Sequence, residues 1–142
     1  MSARDDSREV FFNAWKSYRA GQPLTGMDRR IVQIVLEHPE YHGLLEDREQ
    51  HLASDFPPEL GVTNPFLHLG MHLAIDEQLA MDQPPGVWAR YAGLRGKLGN
   101  AHRAQHEIME CLGEVLWHAQ RSNETPSEQR YLECLDELVA RW

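Results

Sequence analysis

The spacing of apolar residues along this chain follows the period of an α-helix almost throughout. Near the start, five apolar residues recur at intervals of three and four, which puts them on one helical face: Val10, Phe11, Ala14, Trp15 and Tyr18. No convincing stretch alternates apolar and polar residues with the period of two that a half-buried strand requires. The sequence therefore predicts an all-α fold, a single domain over residues 1–142 built as a bundle of five to six helices, with about residues 1–6 disordered.

Cap and breaker residues divide this pattern into separate helices. Asn64 with Pro65, and Asn100, are typical helix starts, and Gly21 and Gly99 are typical stops. The sequence predicts helices over 7–20, 25–37, 64–81, 87–98, 101–121 and from the Thr125–Glu128 cap signal toward Trp142, with a short helix or turn and a loop over 43–63. Candidate core residues at helical spacing are Phe11, Trp15, Leu67, Trp117, Leu135 and Trp142.

Length and charge exclude several classes of protein. The chain has 142 residues, 42% of them hydrophobic, which suffices for a core without disulfide support. A formal net charge of −8 disfavours nucleic acid and anionic membranes as partners, and no apolar run is long enough to span a bilayer. Two cysteines, Cys111 and Cys134, make no disulfide framework, so we expect reduced thiols and a cytoplasmic location. Exposed apolar helix faces would allow a homodimer as readily as a further internal contact.

Histidines are the one chemically distinctive feature of the sequence. Three of its eight histidines are followed by another at i+4, in the pairs His38/His42, His68/His72 and His102/His106. Random placement would give roughly 0.4 such pairs in a chain of this length. Pro39 interrupts the first pair. The other two pairs each lie in the first two turns of a predicted helix, where residues four apart point the same way and can hold one metal ion together.

Carboxylates continue both histidine faces and complete a candidate metal site. Asp76 and Glu77 follow His72, and Glu110 follows His106 at i+4. Short connections predict that the 64–81 and 101–121 helices run parallel, which would set both pairs at one height. The predicted ligands are His68, His72, Asp76, Glu77, His102, His106 and Glu110, and they would hold one or two ions of iron, zinc, manganese or nickel, with a dinuclear site the simpler interpretation.

The sequence does not determine which reaction a metal at this site would support. A metal with a free coordination position could support hydrolysis, redox chemistry or oxygen binding, and no feature of the sequence names a small-molecule substrate. The alternative is a non-enzymatic, acidic interaction module in which the histidines are structural or respond to pH. That alternative predicts no bound metal and a fold that is destabilised when pH falls through about 6.5 and buried neutral histidines become charged.

Three segments of the chain resemble one bacterial family. They are Thr63–Ile75, which contains His68 and His72, the segment from His106 to Arg121, and the shorter Glu37–His42. Together they resemble the family known as domain of unknown function 1841. The resemblance covers nearly the whole chain and implies a small cytoplasmic bacterial protein, with no assigned activity to carry over.

A looser likeness is to the helical metal sites of haemerythrin-type and DinB-type proteins. The spacing of His68, His72 and Glu77 combines two of the haemerythrin ligand spacings in one helix. His106 and Glu110 fit a further spacing, but they share a helix with the second histidine pair, and the order of the helices differs. The likeness is one of ligand arrangement, and it does not imply oxygen carriage.

Overall fold

The computed structural model describes residues 3–56 and 64–142 of the chain. Within these ranges the structure is helical and contains no strand, so the predicted all-α class is confirmed. The helices are α1 (Ala3–Arg19), α2 (Gly26–Leu36), a 3-10 turn (Pro39–Tyr41), α3 (His42–Leu45), α4 (Arg48–His51), α5 (Pro65–Met81), α6 (Val87–Leu98), α7 (Ala101–Ser122) and α8 (Glu128–Arg141).

The described residues thus form eight α-helices, where five to six were predicted. The additional helices, α3 and α4, are single turns inside the segment 43–63, for which a short helix or turn and a loop were predicted. The end of that predicted loop, residues 57–63, lies outside the described residues. Helix α1 begins at Ala3, so residues 3–6 are helical where disorder was predicted.

Several helix boundaries follow from the predicted caps. The side-chain Oδ1 of Asn64 accepts hydrogen bonds from the backbone N–H groups of Phe66 (3.0 Å) and Leu67 (3.2 Å) at the start of α5. Asn100 caps α7 in the same way, and Gly99 ends α6 at a positive φ of 69°. Helix α8 is capped by Ser127 and not by Thr125, because the Ser127 side chain accepts from the Arg130 N–H.

The chain divides into two compact units, Met1–Leu73 and Ala74–Trp142. The single-domain organisation stays a prediction. In the first unit, α1 and α2 pack together, and Phe12, Trp15 and Ile31 are among the residues of a buried apolar cluster. Arg8 is buried beside this cluster, and its guanidinium donates to the backbone carbonyls of Leu52 (2.9 Å) and Ser54 (2.7 Å), so it fixes the segment after α4 against α1.

In the second unit, α6, α7 and α8 pack pairwise around apolar side chains that include Leu94, Ile108 and Leu135. The Tyr131 hydroxyl donates to Gln78 Oε1 at 2.7 Å, and burial raises the pKa of Tyr131 well above its usual range. At its outer edge, the Arg90 guanidinium binds both carboxylate oxygens of Asp136.

A disulfide joins Cys111 of α7 to Cys134 of α8, so the predicted pair of reduced thiols is wrong in this structure. Each cysteine lies on the face of its helix that meets the other helix. The pairing depends on how two helices pack, and the two cysteines are 23 positions apart in the sequence. For that reason the sequence spacing carried no sign of it.

The core prediction is correct for Phe11, Trp15 and Leu135, which are buried, but wrong for Leu67, Trp117 and Trp142, which are exposed. The two exposed indoles are partly shielded by arginines. Arg121 lies 4.7 Å from the Trp117 ring centre, and Arg103 lies 4.8 Å from that of Trp142. A cation above the ring favours an aromatic side chain at the surface, and helical spacing does not reveal such a contact.

Within the described residues, no helix combines the length and apolar character needed to cross a bilayer.

Candidate metal centre

Helix α5 presents His68 and His72 on one face, as the sequence predicted. The two residues are one turn apart, and their ring centres lie 5.0 Å apart with the planes at 72°. His72 is almost completely buried, with 2% of its surface exposed, and His68 is half-buried. The Asn64 cap fixes the first turn of α5, so it also fixes the position of His68 one turn further along.

His38 brings a third imidazole to this pair from the end of α2. Helix α2 ends at Leu36, Pro39 disfavours helical geometry at His38, and the His38 backbone N–H bonds to the Val35 carbonyl at 2.9 Å. The His38 ring is 2% exposed. Its centre lies 4.9 Å from that of His68 and 4.7 Å from that of His72.

A hydrogen bond to the backbone sets the protonation of His38. Its Nδ1 lies 2.7 Å from the Ile34 carbonyl oxygen, which can only accept, so Nδ1 carries the proton. In the neutral ring the lone pair is therefore on Nε2, and that atom lies 3.1 Å from Nε2 of His68. A backbone carbonyl that holds one ring nitrogen while the other faces a metal is the usual outer contact of histidine ligands.

The three histidines of the first unit form one cluster. One possible ligand atom from each of His38, His68 and His72 lies within 4.8 Å of the others. Nitrogen ligands of a tetrahedral zinc ion, each about 2.0–2.1 Å from the metal, stand about 3.4 Å from one another. The 3.1 Å between Nε2 of His38 and Nε2 of His68, which are in hydrogen-bond contact, is close to that spacing. The three histidines could therefore hold a metal ion.

Tyr41 packs beside the cluster. Its ring is parallel to that of His38, at 4° with 5.5 Å between centres, and its centre lies 6.0 Å from that of His68. Burial, followed by the charge of Glu40, raises the pKa of the Tyr41 hydroxyl. The phenol is therefore neutral at physiological pH, and its ring shields one side of His38 from solvent.

Of the seven predicted ligands, the first unit brings together His68 and His72. In the second unit, His102 and His106 lie side by side on α7, with 4.1 Å between ring centres, and their part in a metal site stays a prediction. Asp76, Glu77 and Glu110 are residues of the second unit, and none of their carboxylates belongs to a group of possible metal ligands among the described residues. Asp76 Oδ1 instead accepts a hydrogen bond from Gln105 Nε2 at 2.7 Å, and Glu110 is exposed.

Sequence reasoning missed His38. The i+4 spacing of His38 and His42 was discounted because Pro39 lies between them, and the two residues indeed do not act as a pair. His42 Nε2 donates to the Val35 carbonyl at 2.8 Å, and its ring lies 4.5 Å from that of Trp15. The useful signal was the position of His38 itself, a polar side chain at the end of an apolar helix and directly before a proline.

A family model described as Domain of unknown function (DUF1841) matches residues 3–137. The chain belongs to this family, which agrees with the resemblance of its histidine-containing segments. No curated protein and no solved structure matches the chain. The likeness to haemerythrin-type and DinB-type sites is not shown by these comparisons.

Proposed function

We propose that this protein binds one transition-metal ion through His38, His68 and His72. The observation that carries the proposal is the cluster of these three imidazoles, in which Nε2 of His38 and Nε2 of His68 are in hydrogen-bond contact at 3.1 Å. His106 stays a predicted ligand from its spacing in the sequence. The hydrogen bond from His38 Nδ1 to the Ile34 carbonyl supports it, because this bond leaves the Nε2 lone pair facing the cluster.

The chemistry of the ligands narrows the choice of metal. Imidazole nitrogen suits zinc, iron, nickel and copper, whereas manganese prefers carboxylate and water oxygen. Of the four metals first considered, the proposal favours zinc, iron and nickel over manganese. Neutral imidazole ligands leave the full charge of a divalent ion in place, and such an ion polarises a bound water or carbonyl group strongly.

Two finer elements of the proposal depend on groups outside the cluster. A second ion would need the bridging carboxylates Asp76, Glu77 or Glu110, so the dinuclear site stays a prediction. Metal-dependent hydrolysis, or oxygen and redox chemistry with iron, would need a free coordination position and a substrate. We include them as activities to test once a metal is bound.

Cobalt(II) titration tests the proposal. We expect visible absorption bands that grow linearly and saturate at one equivalent of cobalt per chain. The reason is that four- or five-coordinate cobalt(II) with imidazole ligands absorbs far more strongly than the six-coordinate hydrated ion. Zinc added afterwards should remove the bands by displacement. Absorption no stronger than that of free cobalt in buffer would contradict the proposal.

If no metal binds, the acidic interaction module becomes the better interpretation, with His38, His68 and His72 as a structural cluster. A homodimer, a cytoplasmic location and the absence of a nucleic-acid partner stay predictions from composition and charge. The Cys111–Cys134 disulfide weighs against the cytoplasmic location, because persistent disulfides are more common in oxidising compartments.

A further inference from the structure

A groove in the first unit runs along α1 and past α3 and the start of α4. Its volume is about 1140 Å³, as large as the cavities that hold small organic ligands. The α1 side chains that line it recur every three or four residues along one face, and Leu45, Glu46 and Arg48 form the opposite side. The groove does not involve the histidine cluster.

Ion pairs neutralise both carboxylates of the groove. Arg48 Nε donates to Glu9 Oε2 at 3.0 Å, and a second guanidinium nitrogen donates to Glu9 Oε1. This contact lowers the pKa of Glu9 and raises that of Arg48, so both stay charged. Further along, Arg19 lies 3.3 Å from Glu46. The two pairs join α1 to the opposite side of the groove.

Lys16 is the third cationic side chain that lines the groove. It lies on the same face of α1, between Glu9 and Arg19, its side chain is exposed, and no described carboxylate is within ion-pair distance of it. The groove thus has one positive charge in excess, on a chain whose formal net charge is −8. Phe12 and Leu45 line the groove but are almost completely buried, so the apolar surface open to a ligand is that of Ala20 and of the aliphatic stems of Lys16 and Arg19. A cation beside apolar surface complements a ligand with one anionic group and an apolar body.

We propose that this groove binds a small amphipathic organic anion, with Lys16 as the partner of its acidic group. The acidic group would be a carboxylate or a sulfonate, and an aliphatic or aromatic body would lie along Ala20 and the aliphatic stem of Arg19. Because the two ion pairs already satisfy Glu9 and Glu46, binding would not leave a carboxylate facing the anion.

Two fluorescent probes that differ by one charge test the proposal. 1-Anilinonaphthalene-8-sulfonate carries a sulfonate, whereas N-phenyl-1-naphthylamine has the same rings without it. We expect the sulfonate probe to bind the full chain with one site, and decanoate to displace it. Lys16→Gln should weaken binding of the sulfonate probe about tenfold and leave that of the neutral probe within twofold. Arg141→Gln, the same loss of charge on α8, should change neither.

A second variant locates the site. Ala20 is exposed and lines the groove, so Ala20→Trp should fill the groove without disturbing the core, and it should abolish binding of both probes. Equal affinity of the sulfonate probe for the wild type and Lys16→Gln would overturn the proposal. Unchanged binding to Ala20→Trp, or no saturable binding to the wild type, would also overturn it. As a control for folding, the far-ultraviolet circular dichroism spectrum of each variant should match that of the wild type.

Discussion

Replacing His72 with alanine should lower the affinity for zinc by on the order of a hundredfold or more. Loss of an outer contact to a metal ligand already costs 10–100-fold in affinity, and loss of a ligand itself should cost at least the upper end of that range. His72 is 2% exposed and central to the cluster, with its ring centre within 5.0 Å of those of His38 and His68. Competition with a chromophoric zinc chelator measures the change.

Two further variants separate ligand loss from damage to the fold. His68→Ala removes a half-buried ligand, so it should lower affinity similarly with less effect on stability. His118→Ala removes a histidine of α7 whose side chain is 43% exposed and which lies 4.0 Å from Glu114, and it should leave the affinity within about twofold. Wild-type affinity in His72→Ala and His68→Ala would contradict the assignment of these ligands.

The Cys111–Cys134 disulfide should raise the free energy of unfolding of the chain. It closes a loop of 23 residues between α7 and α8, and a loop of that size lowers the entropy of the unfolded chain by an amount worth about 3 kcal/mol. Changing both cysteines to alanine should therefore lower the free energy of unfolding in urea by about that amount.

The wild-type protein with its disulfide reduced is the control for the double alanine variant. In excess dithiothreitol the wild-type chain should unfold at nearly the same urea concentration as the double alanine variant. A wild-type midpoint that does not move when the reductant is added, with free thiols absent before reduction, would contradict the predicted contribution. Free thiols in the untreated protein would contradict the disulfide itself.

Local sequence signals were enough for most of the fold. The caps at Asn64 and Asn100 and the stop at Gly99 act through hydrogen bonds or backbone angles within a few residues, so the starts of α5 and α7 and the end of α6 were predictable. The choice of Ser127 over Thr125 at α8 was not, because both residue types can cap a helix and three-dimensional packing selects between them.

The candidate site, too, could be predicted only in part from the sequence. His68 and His72 share a helical face because of their spacing, and this is visible in the sequence. His38 joins them from 30 residues away, through the turn that Pro39 imposes and the hydrogen bond to Ile34. No periodicity links His38 to α5, so only the folded arrangement identifies it. Asp76, Glu77 and Glu110 were predicted as ligands because they continue the histidine-bearing faces of their helices. Helical spacing alone does not establish which of these side chains reach the cluster.

The most direct test of the metal proposal is the metal content of the protein purified without an affinity tag and measured per chain by elemental analysis. We expect close to one equivalent of zinc, iron or nickel in the wild type, and loss of that metal in the His72→Ala variant. A metal-free protein that also fails to take up zinc, iron or nickel after dialysis would contradict the metal site, and so would equal metal content in the wild type and the variant.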